Sequence, residues 1–201
     1  MQKRNNIIFD IGDVLLEYRW KDMLMEHGLS EEQAKHTGGI MFNSPLWKEL
    51  DLGTMQQDEV IEAFGRTCPG EAEDIAWFLH HGENMMVPRP EIWKLMRRLK
   101  EEKGYGIYLL SNYSEKLLNK HLAGVDFLDI VDGGIISFQV KLAKPDARIY
   151  KTLLERYHLD PESCYFFDDR PENTEAARKF GIDAVTVISR QFLEQELMKL
   201  L

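Results

Sequence analysis

From about Pro88 to the C-terminus, hydrophobic positions fall into two alternating patterns. Short unbroken apolar runs, too brief for helices, alternate with longer stretches of helical spacing. The runs Ile107–Leu110, Gly134–Ile136, Tyr165–Phe167 and Ala184–Ile188 predict strands. The stretches Pro90–Glu102, Glu115–Leu122, Ala147–Tyr157, Thr174–Phe180 and Gln191–Leu200 predict helices. Proline near the first turn and Gly104 just past the last turn bracket the first of these helices, and Gly181 closes the fourth. One more apolar run, from Asn6 to Phe9, stands near the N-terminus. After it come roughly seventy residues with no good strand. Helical spacing there covers Trp20–Met25, Glu31–His36, Pro45–Leu50, Met55–Arg66 and Glu71–His80, with breaks at Gly28, Gly38-Gly39, Gly53 and Cys68-Pro69-Gly70. Strand–helix alternation predicts an α/β fold with a mostly parallel sheet covered on both faces. Residues 1–15 and 88–201 form that core, and residues 16–87 an all-helical insert after the first strand.

Polar clusters sit where these strands end. The run Asn6–Phe9 stops at Asp10, followed by Ile11 and Gly12. In open α/β sheets chemistry gathers at the carboxyl ends of strands, and a carboxylate there serves as nucleophile or metal ligand. The plain alternative is a turn aspartate. Ser111-Asn112 follows Leu109-Leu110, as oxyanion donors or as ordinary turn residues. Lys144-Pro145-Asp146 opens a helix, and proline holds Lys144 toward an extended backbone. Asp168-Asp169 follows Phe166-Phe167. Two adjacent carboxylates repel, and a cation beside them relieves the repulsion.

Composition narrows the partners. The chain of 201 residues is 44% hydrophobic and 29% charged, ordinary for a globular protein, and its net charge of −9 argues against nucleic acid. The basic pair Arg97-Arg98 lies on the solvated face of a helix. No apolar run approaches a membrane span, and the polar start Met1–Asn5 leads into a strand instead of a signal-peptide core, so a cytoplasmic protein is expected. Cys68 and Cys164 fall in different units and read as small buried hydrophobes, and the six histidines show no metal-ligand spacing.

Taken in order, the strings FDIGDVLL, LLSN, KPDARIY and FFDDRPEN resemble the four motifs of the haloacid dehalogenase superfamily. The resemblance spans nearly the whole chain and includes a helical cap inserted after the first motif. Its phrasing is nearest to a branch with bacterial α-glucose-1-phosphate phosphatases and the phosphatase domain of soluble epoxide hydrolases. It implies a Rossmann-like core with an all-helical cap, and a phosphatase acting on a small phosphorylated metabolite through an aspartyl phosphate on Asp10. It implies Mg²⁺ held by Asp10, the Gly12 carbonyl, Asp168 and Asp169, with Ser111, Asn112 and Lys144 on the phosphoryl group. It assigns neither a particular substrate nor an oligomeric state.

One position departs from the pattern. Most phosphatases of this family carry a second aspartate, the general acid, two residues after the nucleophile; here that residue is Gly12, and an acid comes one place later, as Asp13. Neighbouring residues of an extended chain point in opposite directions, so Asp13 is not a simple replacement. A missing acid is compatible with substrates whose leaving groups need little protonation. It is also compatible with a 2-haloacid dehalogenase, which uses the aspartate on carbon, and with a non-catalytic binding protein on the same fold. In the helical segment, Phe42 and Trp47 read as apolar core, with stacking on a sugar as the alternative, and Arg19 reads as a surface ion pair, with a phosphate or sugar hydroxyl as the alternative partner.

Overall fold

The computed structural model describes residues 4–201; the expectation for residues 1–3, at the start of the polar lead-in, lies outside them. In chain order the elements are β1 (Asn6–Phe9), β2 (Leu16–Tyr18), α1 (Trp20–Glu26), α2 (Glu31–Phe42), α3 (Pro45–Leu52), α4 (Gln57–Thr67), α5 (Ala72–His80), β3 (Met86–Pro88), α6 (Pro90–Lys103), β4 (Gly106–Ser111), α7 (Glu115–His121), β5 (Gly133–Ile136), α8 (Ser137–Val140), α9 (Ala147–Arg156), β6 (Cys164–Asp168), α10 (Pro171–Arg178), β7 (Asp183–Thr186) and α11 (Arg190–Met198).

Five strands form one sheet in the order β5-β4-β1-β6-β7, and each pairing is parallel. Helices cover both faces, so strand residues are apolar on both sides. Alternation along β1 divides them: Ile7 and Phe9 join Ile107, Leu109 and Phe167 under α6 and α11, whereas Ile8 joins Leu110, Phe166 and Ala184 under α9. Burying such a side chain contributes about 1.5–3 kcal/mol. The sheet is therefore a stiff platform, and its register decides which residues meet at its carboxyl edge. Phe9 stands level with both Leu109 and Phe167, so Asp10, the end of β4 and the end of β6 emerge side by side.

Helices α1 to α5 enclose an apolar cluster of their own, built on Met23, Leu24, Met41, Val60, Phe64, Ile75, Phe78 and Leu79. This segment differs from the sequence reading in two ways. It is framed by two short strands, β2 and β3, paired antiparallel where the chain leaves the sheet and returns to it. Three residues are too few to show a period, and their partners lie about seventy positions apart, which is why the pattern carries no strand signal. The second difference is the expected break at Gly38-Gly39, because α2 runs through both glycines to Phe42. Gly38 is there for close approach: a Cβ on it would meet the Trp20 ring at 2.3 Å. Smaller shifts occur at element ends. The helix expected from Thr174 already begins at Pro171, and the strand expected over Ala184–Ile188 spans Asp183–Thr186. Among the described residues no helix is long and apolar enough to cross a membrane.

Candidate active site

At the carboxyl edge of the sheet the three strand-end clusters meet the Lys144 cluster, which lies between α8 and α9. Asp10 lies one residue beyond β1, almost fully buried, and one of its oxygens accepts from the Ile11 amide at 2.7 Å and from the Ser111 hydroxyl at 2.6 Å. The Lys144 ammonium lies 3.0 Å from the same oxygen and 2.5 Å from Asp168. Asn112 fixes the backbone that carries this lysine, since its amide donates to the Lys144 carbonyl at 2.9 Å and its oxygen accepts from the Lys144 N–H at 2.8 Å.

The adjacent acids Asp168 and Asp169 live in opposite environments. Asp168 is wholly buried and saturated. Besides Lys144 it accepts the Arg170 amide at 2.9 Å and the Asn173 side-chain amide at 2.9 and 3.1 Å. Tyr150 in turn donates to the Asn173 carbonyl. Asp169 is half-buried, and among the described residues no hydrogen bond or ion pair reaches its carboxylate. Burial, then the charges of Asp10 and Asp168, push its pKa up to about 7. Asp10 is raised to about 6, chiefly by burial, with Lys144 pulling the other way. Burial works against the Lys144 ammonium, but Asp10 and Asp168 outweigh it and raise its pKa. Oxygens of Asp10, Asp168 and Asp169 lie within 4.8 Å of one another. An all-oxygen set with one under-neutralised carboxylate is the donor chemistry of a hard divalent cation.

Above this floor is a cavity of about 300 Å³. The sheet side supplies Asp10, Gly12, Asn112, Lys144 and Asp169, and the helical side Trp20, Phe42, Trp47 and Asp51. Phe42 and Trp47 therefore do two jobs. Their rings meet edge-on at 4.6 Å and pack on the cluster within the helices, as the sequence suggests, and they also wall the cavity. Arg19 pairs with Glu26, as read.

Gly12 lies against the Tyr18 ring. A Cβ there would fall 2.5 Å from the Tyr18 ring, so this aromatic side chain fills the room an aspartate at position 12 would need. Asp13, in a left-handed conformation with φ 52°, turns to a structural task. Its carboxylate accepts the Tyr18 N–H at 3.0 Å, and its carbonyl accepts from the buried Arg89 at 2.5 Å. Tyr18, Asn173 and Asp51 carry no motif signal beyond proximity in the fold. Only Asn173 lies inside one of the strings singled out above.

The comparisons with known proteins agree with this fold. Residues 5–181 match the haloacid dehalogenase-like hydrolase family. A phosphatase of Mycobacterium tuberculosis is 27% identical over 208 aligned positions, covering 90% of this chain and 86% of its own. A drimenol cyclase of Aspergillus calidoustus is 24% identical over 95% of this chain, which spans only 35% of that longer protein. Among solved structures, a haloacid dehalogenase family enzyme of Bacteroides thetaiotaomicron, in complex with magnesium and inorganic phosphate, superposes with a TM-score of 0.69. It is 20% identical, and the match covers 92% of this chain and 95% of that one. The family match over most of the chain, on a parallel sheet that gathers all four polar clusters, makes this protein a member of the haloacid dehalogenase-like hydrolases.

Proposed function

We propose that this hydrolase is a Mg²⁺-dependent phosphatase of a small phosphorylated metabolite, with residues 16–87 as its cap over a core of residues 1–15 and 88–201. The observation that carries the reading is the floor itself. Asp10 is aimed into the cavity, with the Lys144 ammonium and the Ser111 hydroxyl at its side and the under-neutralised Asp169 carboxylate beside it. In this reading Asp10 attacks phosphorus in line and becomes an aspartyl phosphate, which water then hydrolyses. Ser111 and the Asn112 backbone hold the phosphoryl oxygens, and Lys144 screens their charge against Asp10. Asp168 keeps Lys144 charged and in place through the 2.5 Å contact.

Asp10, the Gly12 carbonyl and Asp169, with Asp168 behind them, would hold the Mg²⁺. Bound there, it supplies the positive charge that lets an anionic substrate approach a carboxylate. The aromatic wall of Trp20, Phe42 and Trp47 suits a sugar or another flat or apolar-faced group on the leaving side, and a sugar phosphate is the class we favour.

The test is a screen of phosphorylated metabolites with and without Mg²⁺, run beside acid-quench mass spectrometry for a phosphoryl group on Asp10. Metal-dependent phosphate release with a labelled Asp10 supports the proposal. Halide release from 2-haloacids without metal, in place of phosphate release, would replace it with dehalogenation.

A further inference from the structure

In-line transfer fixes where the leaving group must go. A nucleophile on the floor of the cavity attacks from the sheet side, so the departing oxygen leaves toward the helical side. Among the described residues, four carboxylates line the cavity: Asp10, Asp13, Asp51 and Asp169. Asp10 is the nucleophile of the reading above. Asp169 stands in the acidic cluster on the floor, and Asp13 is held by the Tyr18 amide in the loop after β1. Asp51 alone comes from the opposite side, at the end of α3.

Its position is pinned from the core. The Ser137 hydroxyl donates to the Asp51 carbonyl at 2.5 Å, and two residues on the Gly53 carbonyl accepts from the Lys141 ammonium at 2.7 Å. Both donors belong to the short helix α8 and its C-cap, which follows β5 directly. The end of α3 is thereby fixed to the sheet domain at Asp51 and two residues beyond it, and the nucleophile is fixed to the same sheet. At the usual place for the acid, a Cβ on residue 12 would meet the Tyr18 ring at 2.5 Å, so a side chain there requires that ring to move.

We infer that Asp51 is the general acid and base of this enzyme, supplied by the cap to replace the carboxylate that Gly12 cannot carry. In the first step the bond from phosphorus to the leaving oxygen breaks as the Asp10–phosphorus bond forms. The Asp51 carboxyl gives its proton to that oxygen. In the second step a water molecule, in the place the leaving group vacated, gives a proton to the Asp51 carboxylate while its oxygen bonds to phosphorus. Asp10 is released as a carboxylate, and inorganic phosphate is the product. The cycle returns Asp51 protonated and needs no other reagent.

The surroundings suit a group that must hold and release a proton. Burial, followed by the Asp10 charge, raises Asp51 to about 7, opposed by Arg170, Lys144 and the Ser114 amide. Tyr113 also faces it from the core. On its own helix Lys48 and Glu49 are the charged neighbours.

The inference rests on the phosphatase reading, and one experiment separates the two. kcat/KM reports the phosphorylation step, and it is measured for wild type, Asp51→Asn and Asp51→Ala over a series from dinitrophenyl phosphate through phenyl phosphate to an alkyl phosphate. Wild type should show a shallow dependence on leaving-group basicity. In both variants the dependence should steepen, with losses of ~10²–10⁴-fold for the alkyl phosphate and little loss for the dinitrophenyl ester. Rapid quench of either variant with the dinitrophenyl ester should show a burst, because hydrolysis of the aspartyl phosphate has lost its base. An equal loss for every leaving group, with no burst, overturns the role of Asp51 and leaves the phosphatase reading standing. Wild type inert toward the whole series with Mg²⁺ present overturns the phosphatase reading, and this inference falls with it. The two variants differ in shape and polarity, so agreement between them excludes a folding artefact of either one.

Discussion

On the sheet side of the cavity, Asp10 and Asp168 share the Lys144 ammonium; Ser111 and the Ile11 amide donate to the same Asp10 oxygen that Lys144 meets, and Asn173 and the Arg170 amide donate to Asp168. On the helical side the lining is mostly aromatic, with Trp20, Phe42 and Trp47 in edge-on contact and a single acid among them. The two sides face one cavity but respond to different physics. The floor is a dense network of charges whose members hold one another in place, so each change in it is felt in both charge balance and chemistry. The roof is apolar surface on a separate helical cluster, so a change in it alters fit before it alters chemistry. Substitutions on the floor should therefore lower kcat or stability, and substitutions in the aromatic part of the roof, Asp51 apart, should raise KM.

The sharpest break between the two sides is expected at Asp10. Asp10→Asn keeps the shape, the Ser111 contact and the fold, but an amide has neither the nucleophilicity nor the charge. Turnover should fall by ~10⁴-fold or more, with an unchanged near-ultraviolet circular dichroism spectrum. Activity comparable to wild type would remove Asp10 from the nucleophile's role and dissolve the contrast at its root.

Next in size is Lys144→Met. The substitution leaves Asp10 and Asp168 buried without their cation, and breaking a buried pair in this way costs ~3–5 kcal/mol. Urea unfolding of the metal-free protein measures it. The deficit should shrink in acid, because Asp10, already raised by burial, can then take up a proton and become neutral. A midpoint equal to wild type near neutral pH would show that the lysine is not what holds the floor together.

Asp169 should behave in the opposite sense. Its folded pKa is about 7 against an ordinary 3.8, so the folded state binds the proton more tightly than the unfolded one. Its contribution to stability is then fully present below pH about 4 and is lost as pH rises through about 7. Without metal, Asp169→Asn should melt higher than wild type at about pH 8, by roughly 2–4 °C for each ~1 kcal/mol relieved. Mg²⁺ should raise the wild-type melting temperature and leave that of the variant nearly still. A wild type that is more stable in mild alkali than in mild acid, with an indifferent variant, would contradict the strain assigned to Asp169.

The same contrast decides what could be read from the sequence. The floor was legible because strand ends leave a local mark: an apolar run stops at Asp10, at Ser111 or at Asp168, and the parallel sheet then brings the ends together. Lys144 was legible through its proline and the helix behind it. The roof leaves no such mark. Asp51 sits in the ordinary helical string Lys48-Glu49-Leu50-Asp51-Leu52, and only the docking of α3 on α8 turns it toward the cavity. Tyr18 lies in a three-residue strand whose partner is Met86, a pairing no local period encodes. Gly38 and Gly12 illustrate the same point from the other side. Gly38 looks like punctuation in the sequence and Gly12 like a missing acid, yet a Cβ on either would run into an aromatic ring from another element.

The smallest effect is expected on the roof, and it tests whether the two sides are separable at all. Trp47 packs against Phe42 at 4.6 Å and lines the cavity, while its partly buried ring also serves the helical cluster. Trp47→Ala would disturb both roles, so Trp47→Phe is the better probe, since it keeps an aromatic ring for the cluster and shortens the wall. With the preferred substrate, KM should rise by up to about tenfold, equivalent to ~1.4 kcal/mol, while kcat stays near wild type. Inorganic phosphate, as product inhibitor, touches the floor alone. Its inhibition constant should be the same in wild type and Trp47→Phe, and weaker in Ser111→Ala, which removes a floor hydroxyl 2.6 Å from Asp10. If Trp47→Phe weakened phosphate inhibition as much as it raised KM, the aromatic wall would be acting through the floor. The division of labour between sheet and cap would then give way to a single coupled site.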